Sequence, residues 1–475
     1  MQPFTLGRLA HAVGATTPAQ PAAVARGVCT DTRSLEPGAL FVALRGERFD
    51  GTRFVAQALA GGAAAALVNA DAPLPSELAR DPRVLRVACT RRALGDFARS
   101  YRSELGFTVI GITGSAGKTT TKDLTYHLLE RAGIRAVKAD KSFNNEIGVP
   151  LTLFKADEHT EAVVVEIGTN APGEIAALAR VARPDVAAIT CIGASHLEGL
   201  GGIEGVAREK LSLLEHLRPA GVAVLNADDR RLRAAATRRA GRTATVGLRH
   251  GSLRARVRSR GWTWQCELLA PDRPVQPFEL PLPGEHVLTD ALLALSICAE
   301  LGLDPCRAAR ELASYRPANV GRLGKVEVGP VTLIDDTYNA NPESVLASLA
   351  VLCEVAPPQE RVAVLGSMLE LGGESEARHW AIGEAVARLG VARLVTVGSE
   401  ASAIAAGALA AGLPVEQARV VAHAEEVPEA LSGLLDAPRT LLFKASRGVA
   451  LERGLEATAE LLRHPTPSGA RPRAA

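Results

Sequence analysis

The stretch Gly111-Ile112-Thr113-Gly114-Ser115-Ala116-Gly117-Lys118-Thr119-Thr120 has the residue types and spacing for phosphate chemistry. An apolar run, residues 107–112, leads into it. Behind it Leu124, Leu128, Leu129 and Ala132 recur on one helical face, and Gly133 marks a stop. The loop therefore sits between a strand and a helix N-terminus, where backbone N–H groups and the helix dipole can hold a phosphate. Lys118 adds a mobile cation for β- and γ-phosphates, and Thr119 a hydroxyl for Mg²⁺. The P-loop pattern asks for Gly at 112, where this chain has Ile112; the core Gly114-x-x-Gly117-Lys118-Thr119 remains. Taken alone, the stretch fits a nucleotide site and also a plain glycine-rich turn with a solvated lysine.

Stepping outward, 475 residues suggest about three domains at roughly 100–200 residues each. Residues 1–103 read as a small α/β unit with strands near 40–44, 63–68 and 84–87 and a helix over 91–104. Residues 104–318 alternate strands (107–113, 162–167, 186–192, 222–226) with helical patterns, which predicts a mainly parallel, doubly wound sheet. Ligands gather at the C-terminal strand ends of such sheets, where Glu166, His196, Asn226, Asp228 and Asp229 fall. Residues 242–282, with Trp262 and Trp264, read as an antiparallel β excursion, and a helix over 286–301 returns to the core. Residues 319–463 repeat a Rossmann-like alternation, with strands at 331–335, 361–365, 393–397, 418–421 and 440–443. The Pro-rich segment 464–475 reads as a disordered tail. Before the first strands lies Thr30-Asp31-Thr32-Arg33-Ser34, a turn that suits a helix cap or a phosphorylated ligand.

Bulk composition narrows the classes. The chain is 47% hydrophobic and 22% charged, with net charge +2, so nothing argues for nucleic acid or a membrane surface as partner. Seven scattered cysteines without a C-x-x-C pair argue against a disulfide framework or structural zinc; Cys191 and Cys298 read as small core residues. No signal peptide and no run of 18 apolar residues is found, so a reducing cytoplasm is the expected setting.

Four further stretches join the loop: Asn144-Asn145-Glu146-Ile147-Gly148-Val149-Pro150, Val165-Glu166-Ile167-Gly168, Ser195-His196-Leu197-Glu198-Gly199 with Lys210 beyond, and Asp335-Asp336-Thr337-Tyr338-Asn339-Ala340-Asn341-Pro342-Glu343-Ser344. With Thr30-Asp31-Thr32-Arg33, these six segments in order resemble the Mur ligase family over roughly residues 25–455. The resemblance is strongest to members that add D-alanyl-D-alanine to a UDP-N-acetylmuramoyl-tripeptide. It implies a three-domain α/β fold: a UDP-substrate domain (1–103), an ATP-binding domain (104–318) and a Rossmann-like ligase domain (319–463).

The implied activity is ATP-dependent amide formation through an acyl phosphate, with ATP and Mg²⁺ as cofactors, small-molecule substrates only, and a monomeric state. It further implies that Thr113, Gly114, Ser115, Ala116, Gly117, Lys118, Thr119, Thr120, His286, Arg322 and Asp336 meet ATP. Thr119, Glu166, His196 and a carbamylated Lys210 would hold Mg²⁺. Asp31, Thr32, Arg33, Asn144, Asn145, Tyr338, Asn339, Asn341, Ser344, Lys444, Ser446 and Arg447 would meet the other substrates. Lys118, Lys210, His196 and Arg322 would act in catalysis. The residues keep plainer readings beside these. Glu166 suits a solvated strand end, Lys210 a helix surface, Asn341 a cap for a helix at Pro342, and 444–447 a charged turn.

The chain departs from the family pattern at Val287 and Asp290, where Asn is usual, at Ser367, where Asp is usual, and at Ala445, where Gly is usual. Rival readings are a sister ligase adding another amino acid and a non-catalytic nucleotide-binding module.

Overall fold

A computed structural model describes residues 1–46, 49–140, 142–317 and 321–464. The expected tail therefore falls, past His464, outside the described residues, as do residues 318–320 of the expected linker. Among the described residues the strands form four sheets. A short antiparallel pair, Phe4–Thr5 with Val24–Ala25, precedes a four-stranded parallel sheet: Val28–Cys29, Leu40–Val42, Ala65–Asn69 and Val84–Val87.

The central sheet has nine strands. Its parallel heart runs Thr243–Gly247, Val222–Asn226, Val186–Ile189, Thr108–Thr113, Ala162–Glu166, Ala136–Lys138. The unbroken apolar run Val163-Val164-Val165 has no solvent exposure, as strands covered on both faces require. The expected β excursion is an extension of this same sheet: Leu253–Ser259, Trp264–Leu269 and Gln276–Leu280 pair antiparallel with one another at its edge, and only the first joins the parallel set. The Glu285–Glu300 helix is apolar nearly all round and lies buried; its Asp290 presses on the loop before the Lys118–Arg131 helix.

The third sheet carries six strands in the order Gly324–Val328, Val331–Asp335, Arg439–Lys444, Arg361–Gly366, Arg393–Val397, Ala418–Val421; all pairs are parallel except the first. A mixed, parallel-rich α/β architecture is thus present, with a parallel-rich sheet in each of the three expected units and the short antiparallel pair added to the first.

The units are joined by side-chain hydrogen bonds and an ion pair. The Thr90–Leu105 helix buries Leu94, Phe97 and Tyr101, and the Tyr101 hydroxyl donates to Ala156 O in the central unit at 2.6 Å. Arg102, almost fully buried, meets Asp185 Oδ2 at 2.6 Å. On the other side, Glu343 at the start of the Pro342–Val355 helix accepts from Ala194 N at 3.0 Å. No helix of the described residues is long and apolar enough to cross a membrane.

Candidate functional site

The phosphate-type loop leaves the Thr108–Thr113 strand and enters the Lys118–Arg131 helix. Ile112, the departure from the P-loop pattern, is a fully buried strand residue, so its side chain belongs to the core and not to the loop. Gly114 (φ 151°) and Gly117 (φ 79°) adopt backbones that favour glycine. A Cβ on Gly114 would strike the Thr190 hydroxyl, and one on Gly117 the Asp290 carboxyl. The strand expected to reach 192 stops at Ile189 because the chain turns there to brace this loop. Thr190 Oγ1 donates to Ala116 O, Ser115 N donates to Cys191 O at 3.0 Å, and Ser115 Oγ donates to Gly193 O at 2.9 Å.

A cavity of about 450 Å³ opens over the loop. Ser115, Ala116, Gly117, Lys118, Thr119 and Thr120 line it, with Asn144, Asn145, Glu166, His196, Lys210 and His286 from the central unit. Arg322, Asp336, Tyr338, Asn339, Asn341, Ser344 and Lys444 close it from the third sheet. Thr113 and Gly114 lie beneath the loop. Asp31, Thr32, Arg33, Ser446 and Arg447 are not among the lining residues.

Two polar groups face the floor. Glu166, 1% exposed, accepts from Thr119 Oγ1 at 2.7 Å and from Asn144 Nδ2 at 2.9 Å, with Lys122 Nζ 3.8 Å away. Two hard oxygens so placed, on a hydroxyl and a carboxylate, suit a divalent cation of the Mg²⁺ type. Lys118 Nζ donates to Gly114 O at 2.7 Å. It makes no ion pair with an acid among the described residues, and shielding from water holds its pKa down. A cation so placed calls for an anion.

Lys210, on the Ile203–Leu211 helix, is 2% exposed. Burial, and then the charge of Lys118, lower its pKa to about 7. A plain surface lysine is thereby excluded. Burial also drives the His286 ring to about 4, so it is neutral at ordinary pH.

Other expected residues act on their neighbours. Asn145 Oδ1 accepts from Gly148 N at 2.9 Å and starts the Gly148–Leu153 helix. Asn341 and Ser344 form a reciprocal capping box with Pro342 at the first helical position, while Asn341 Nδ2 reaches Ser115 O at 3.4 Å. Lys444, which lines the cavity, has its ammonium held by Asp336 Oδ2 at 2.6 Å and Asn339 O at 3.1 Å. Ser446 Oγ donates to Ala340 O at 3.2 Å, deep in the fold, and Arg447 pairs with Glu452. Arg322 stacks on the Tyr338 ring at 4.1 Å. Asp31 caps the turn Thr32–Ser34 and forks onto the exposed Arg33, which lowers its carboxyl to about 2.

Asn226, Asp228 and Asp229, though at a strand end, hold backbone. Asn226 Nδ2 donates to Thr190 O (2.9 Å), Asp229 Oδ2 accepts from Ile192 N (2.7 Å), and Asp228 accepts from Leu248 N and His250 N.

The residue that sequence reasoning left without a role is Asp290. It lines the cavity, is 5% exposed, and touches Gly117. Burial pushes its carboxyl well above the carboxylate range against the pull of Thr121, Arg322 and Lys118. A raised folded pKa means the native state holds a proton the unfolded state has lost, so above pH ~4 stability falls as pH rises. Asp290→Asn keeps the shape without the proton. Thermal melts from pH 5 to 8 are expected to show a flatter profile for the variant and a Tm at pH 8 raised by about 2–4 °C, or ~1 kcal/mol. Parallel profiles would show that Asp290 is ionised.

Comparison with known proteins adds the family. Sequence models described as the Mur ligase middle domain, the Mur ligase glutamate ligase domain and the Mur ligase family catalytic domain match residues 112–298, 321–447 and 24–102. The chain belongs to the Mur ligase family. The UDP-N-acetylmuramoyl-tripeptide--D-alanyl-D-alanine ligase of Bacillus subtilis is 37% identical over 90% of this Mur ligase and 92% of its own length. The Escherichia coli protein of that name is 36% identical over 91% and 93%. Among solved structures, MurF from Acinetobacter baumannii superposes with a TM-score of 0.87 at 31% identity, covering 97% of this chain and 99% of that one. Thermotoga maritima MurF ligase in complex with ADP gives 0.81 at 28% identity, covering 93% and 99%. The middle-domain match holds the loop, Glu166, His196, Lys210 and Asp290; the glutamate-ligase match holds Arg322, Asp336 and Tyr338.

Proposed function

We propose that this Mur ligase joins D-alanyl-D-alanine to UDP-N-acetylmuramoyl-tripeptide at the expense of ATP, releasing ADP and phosphate. One observation carries the reading: a single cavity collects Lys118, Thr119, Glu166 and Lys210 from the central sheet and Arg322, Asp336 and Tyr338 from the third. Relatives with that activity match over nine-tenths of their length. The peptide carboxylate takes the γ-phosphoryl group of ATP, giving an acyl phosphate and ADP. The amine of D-alanyl-D-alanine then attacks the acyl carbon, loses a proton, and phosphate leaves.

Phosphoryl transfer asks the protein for position and charge neutralisation. Loop N–H groups and Lys118 would hold the β- and γ-phosphates, and Arg322, kept in place by Tyr338, would add charge from the opposite wall. Thr119 and Glu166 would hold Mg²⁺, whose charge offsets that of the phosphates. His196 and Lys210, the latter as a carbamate, would hold a second ion. Asp336 would meet the ribose, and Asp31, Thr32 and Arg33 the UDP end. Units 1–103, 104–318 and 319–463 then serve as substrate, nucleotide and closing domains. A monomer in the cytoplasm, supplying peptidoglycan precursor for wall growth and division, goes with this reading.

Phosphate release is the test. It is expected only with ATP, Mg²⁺, the UDP-linked tripeptide and D-alanyl-D-alanine all present. ATP turnover indifferent to both acceptor and amine would sink the proposal, and a panel of amines separates it from a sister ligase.

A further inference from the structure

Two residues with left-handed backbones meet between the central and third sheets. His196 (φ 53°, ψ 34°) precedes the short helix Leu197–Leu200, and Glu370 (φ 65°) lies in the loop after the Arg361–Gly366 strand. Such backbones cost free energy for residues other than glycine and persist where the surroundings hold them. His196 Nδ1 lies 2.5 Å from Glu370 Oε2. Two residues on, Gly372 (φ 57°) packs so close that an added Cβ would sit 3.3 Å from Glu198 Cβ. The Glu370 loop is thus fitted against the His196 turn over several residues. The family's usual carboxylate at 367 is replaced here by Ser367, whose Oγ accepts from Ala401 N at 3.2 Å, so in this segment Glu370 is the acid beside His196.

An imidazole that ligates a metal through one nitrogen is oriented when its other N–H points at a carboxylate. His196 lines the cavity; its Nδ1, buried and without a hydrogen bond of its own, has Glu370 Oε2 within ion-pair distance, and Nε2 is the nitrogen left for a cation. We propose that Glu370 is a positioning residue for His196, fixing the proton on Nδ1 and presenting Nε2 to the cation. Because Glu370 belongs to the third sheet's unit, His196 is oriented only while that unit is docked on the central one. The inference rests on the reading of His196 as a ligand.

Mn²⁺ serves as the probe. It is titrated into the full-length protein saturated with ADP, and the bound ion is followed by EPR. Glu370→Ala is expected to weaken Mn²⁺ binding about 10-fold and to raise the Mg²⁺ needed for half-maximal phosphate release by a similar factor. Glu370→Gln, whose amide oxygen still accepts the Nδ1 proton, is expected to retain part of that affinity and serves if the alanine variant fails to fold. In the double variant with His196→Ala, the loss should not exceed that of His196→Ala alone. Unchanged Mn²⁺ affinity in both Glu370 variants, beside a loss in His196→Ala, would overturn the proposal while leaving the ligand reading intact. Unchanged affinity in His196→Ala would overturn both.

Discussion

Lys118→Ala is expected to lower kcat for ligation by about 10³-fold, the upper range for removing one preorganised charge from a transferring group. The same substitution is expected to leave Tm unchanged or slightly raised. Both follow from the ammonium's surroundings. In the structure Lys118 is folded back on Gly114 O, makes no ion pair with an acid among the described residues, and is shielded from water enough to lower its pKa. It therefore contributes little to folding, and beyond the through-space pull of Glu166 its charge has no partner until a phosphate arrives. This is the stability–activity opposition common at active sites. Initial rates of phosphate release at saturating substrates, paired with thermal melts without nucleotide, check it. A rate within tenfold of wild type would remove Lys118 from the transfer step. A large fall in Tm would make it a structural residue.

The sequence was most readable where a local rule and a tertiary role coincide. Val163-Val164-Val165 is apolar at every position because both sheet faces are covered, so the strand and its burial read off together. Gly114, Gly117 and Lys118 are legible because few residues tolerate those backbones and few chemistries use that spacing. Asn341 was legible as a cap, and it caps Pro342–Val355; it also lines the cavity and reaches Ser115 O.

Partner choice was the part that stayed hidden. Lys444, 108 residues from Asp336, carries no mark of that ion pair, and Asn226 and Asp229 look like ligand groups until the loop they tie appears. Periodicity gives the face of an element and not what approaches it from a distant segment. Asp290 shows the limit: a family position read only as a departure proved to be a buried carboxyl against the phosphate loop.

Lys210→Ala is expected to reduce ligation by about 10²-fold or more, and wild-type activity in CO₂-depleted buffer is expected to fall and return with bicarbonate. The reason is acid–base chemistry in a buried site. An ordinary lysine, with pKa near 10.4, is about 0.1% neutral at pH 7.5. Lys210, brought to about 7 by burial and by Lys118, is mostly neutral there. Only the neutral amine attacks CO₂: a C–N bond forms, one proton leaves the nitrogen, and the neutral amine becomes an anionic carbamate.

That change suits the location, since Lys118 and Arg322 line the same cavity and an anion is favoured where an ammonium was not. The linkage sign agrees. Unmodified, the folded protein lacks a proton that the unfolded chain keeps between pH ~7 and ~10.4, so stability rises with pH across that window. Carbamate formation from that neutral amine releases a further proton and extends the gain. At pH 8, bicarbonate should therefore raise Tm in the wild type and leave Lys210→Ala unmoved. ¹³C-bicarbonate NMR should show one carbamate carbon that the variant lacks. Full activity in Lys210→Ala, or a wild type indifferent to bicarbonate with no such resonance, would return Lys210 to the role of a buried neutral amine beside the phosphate loop.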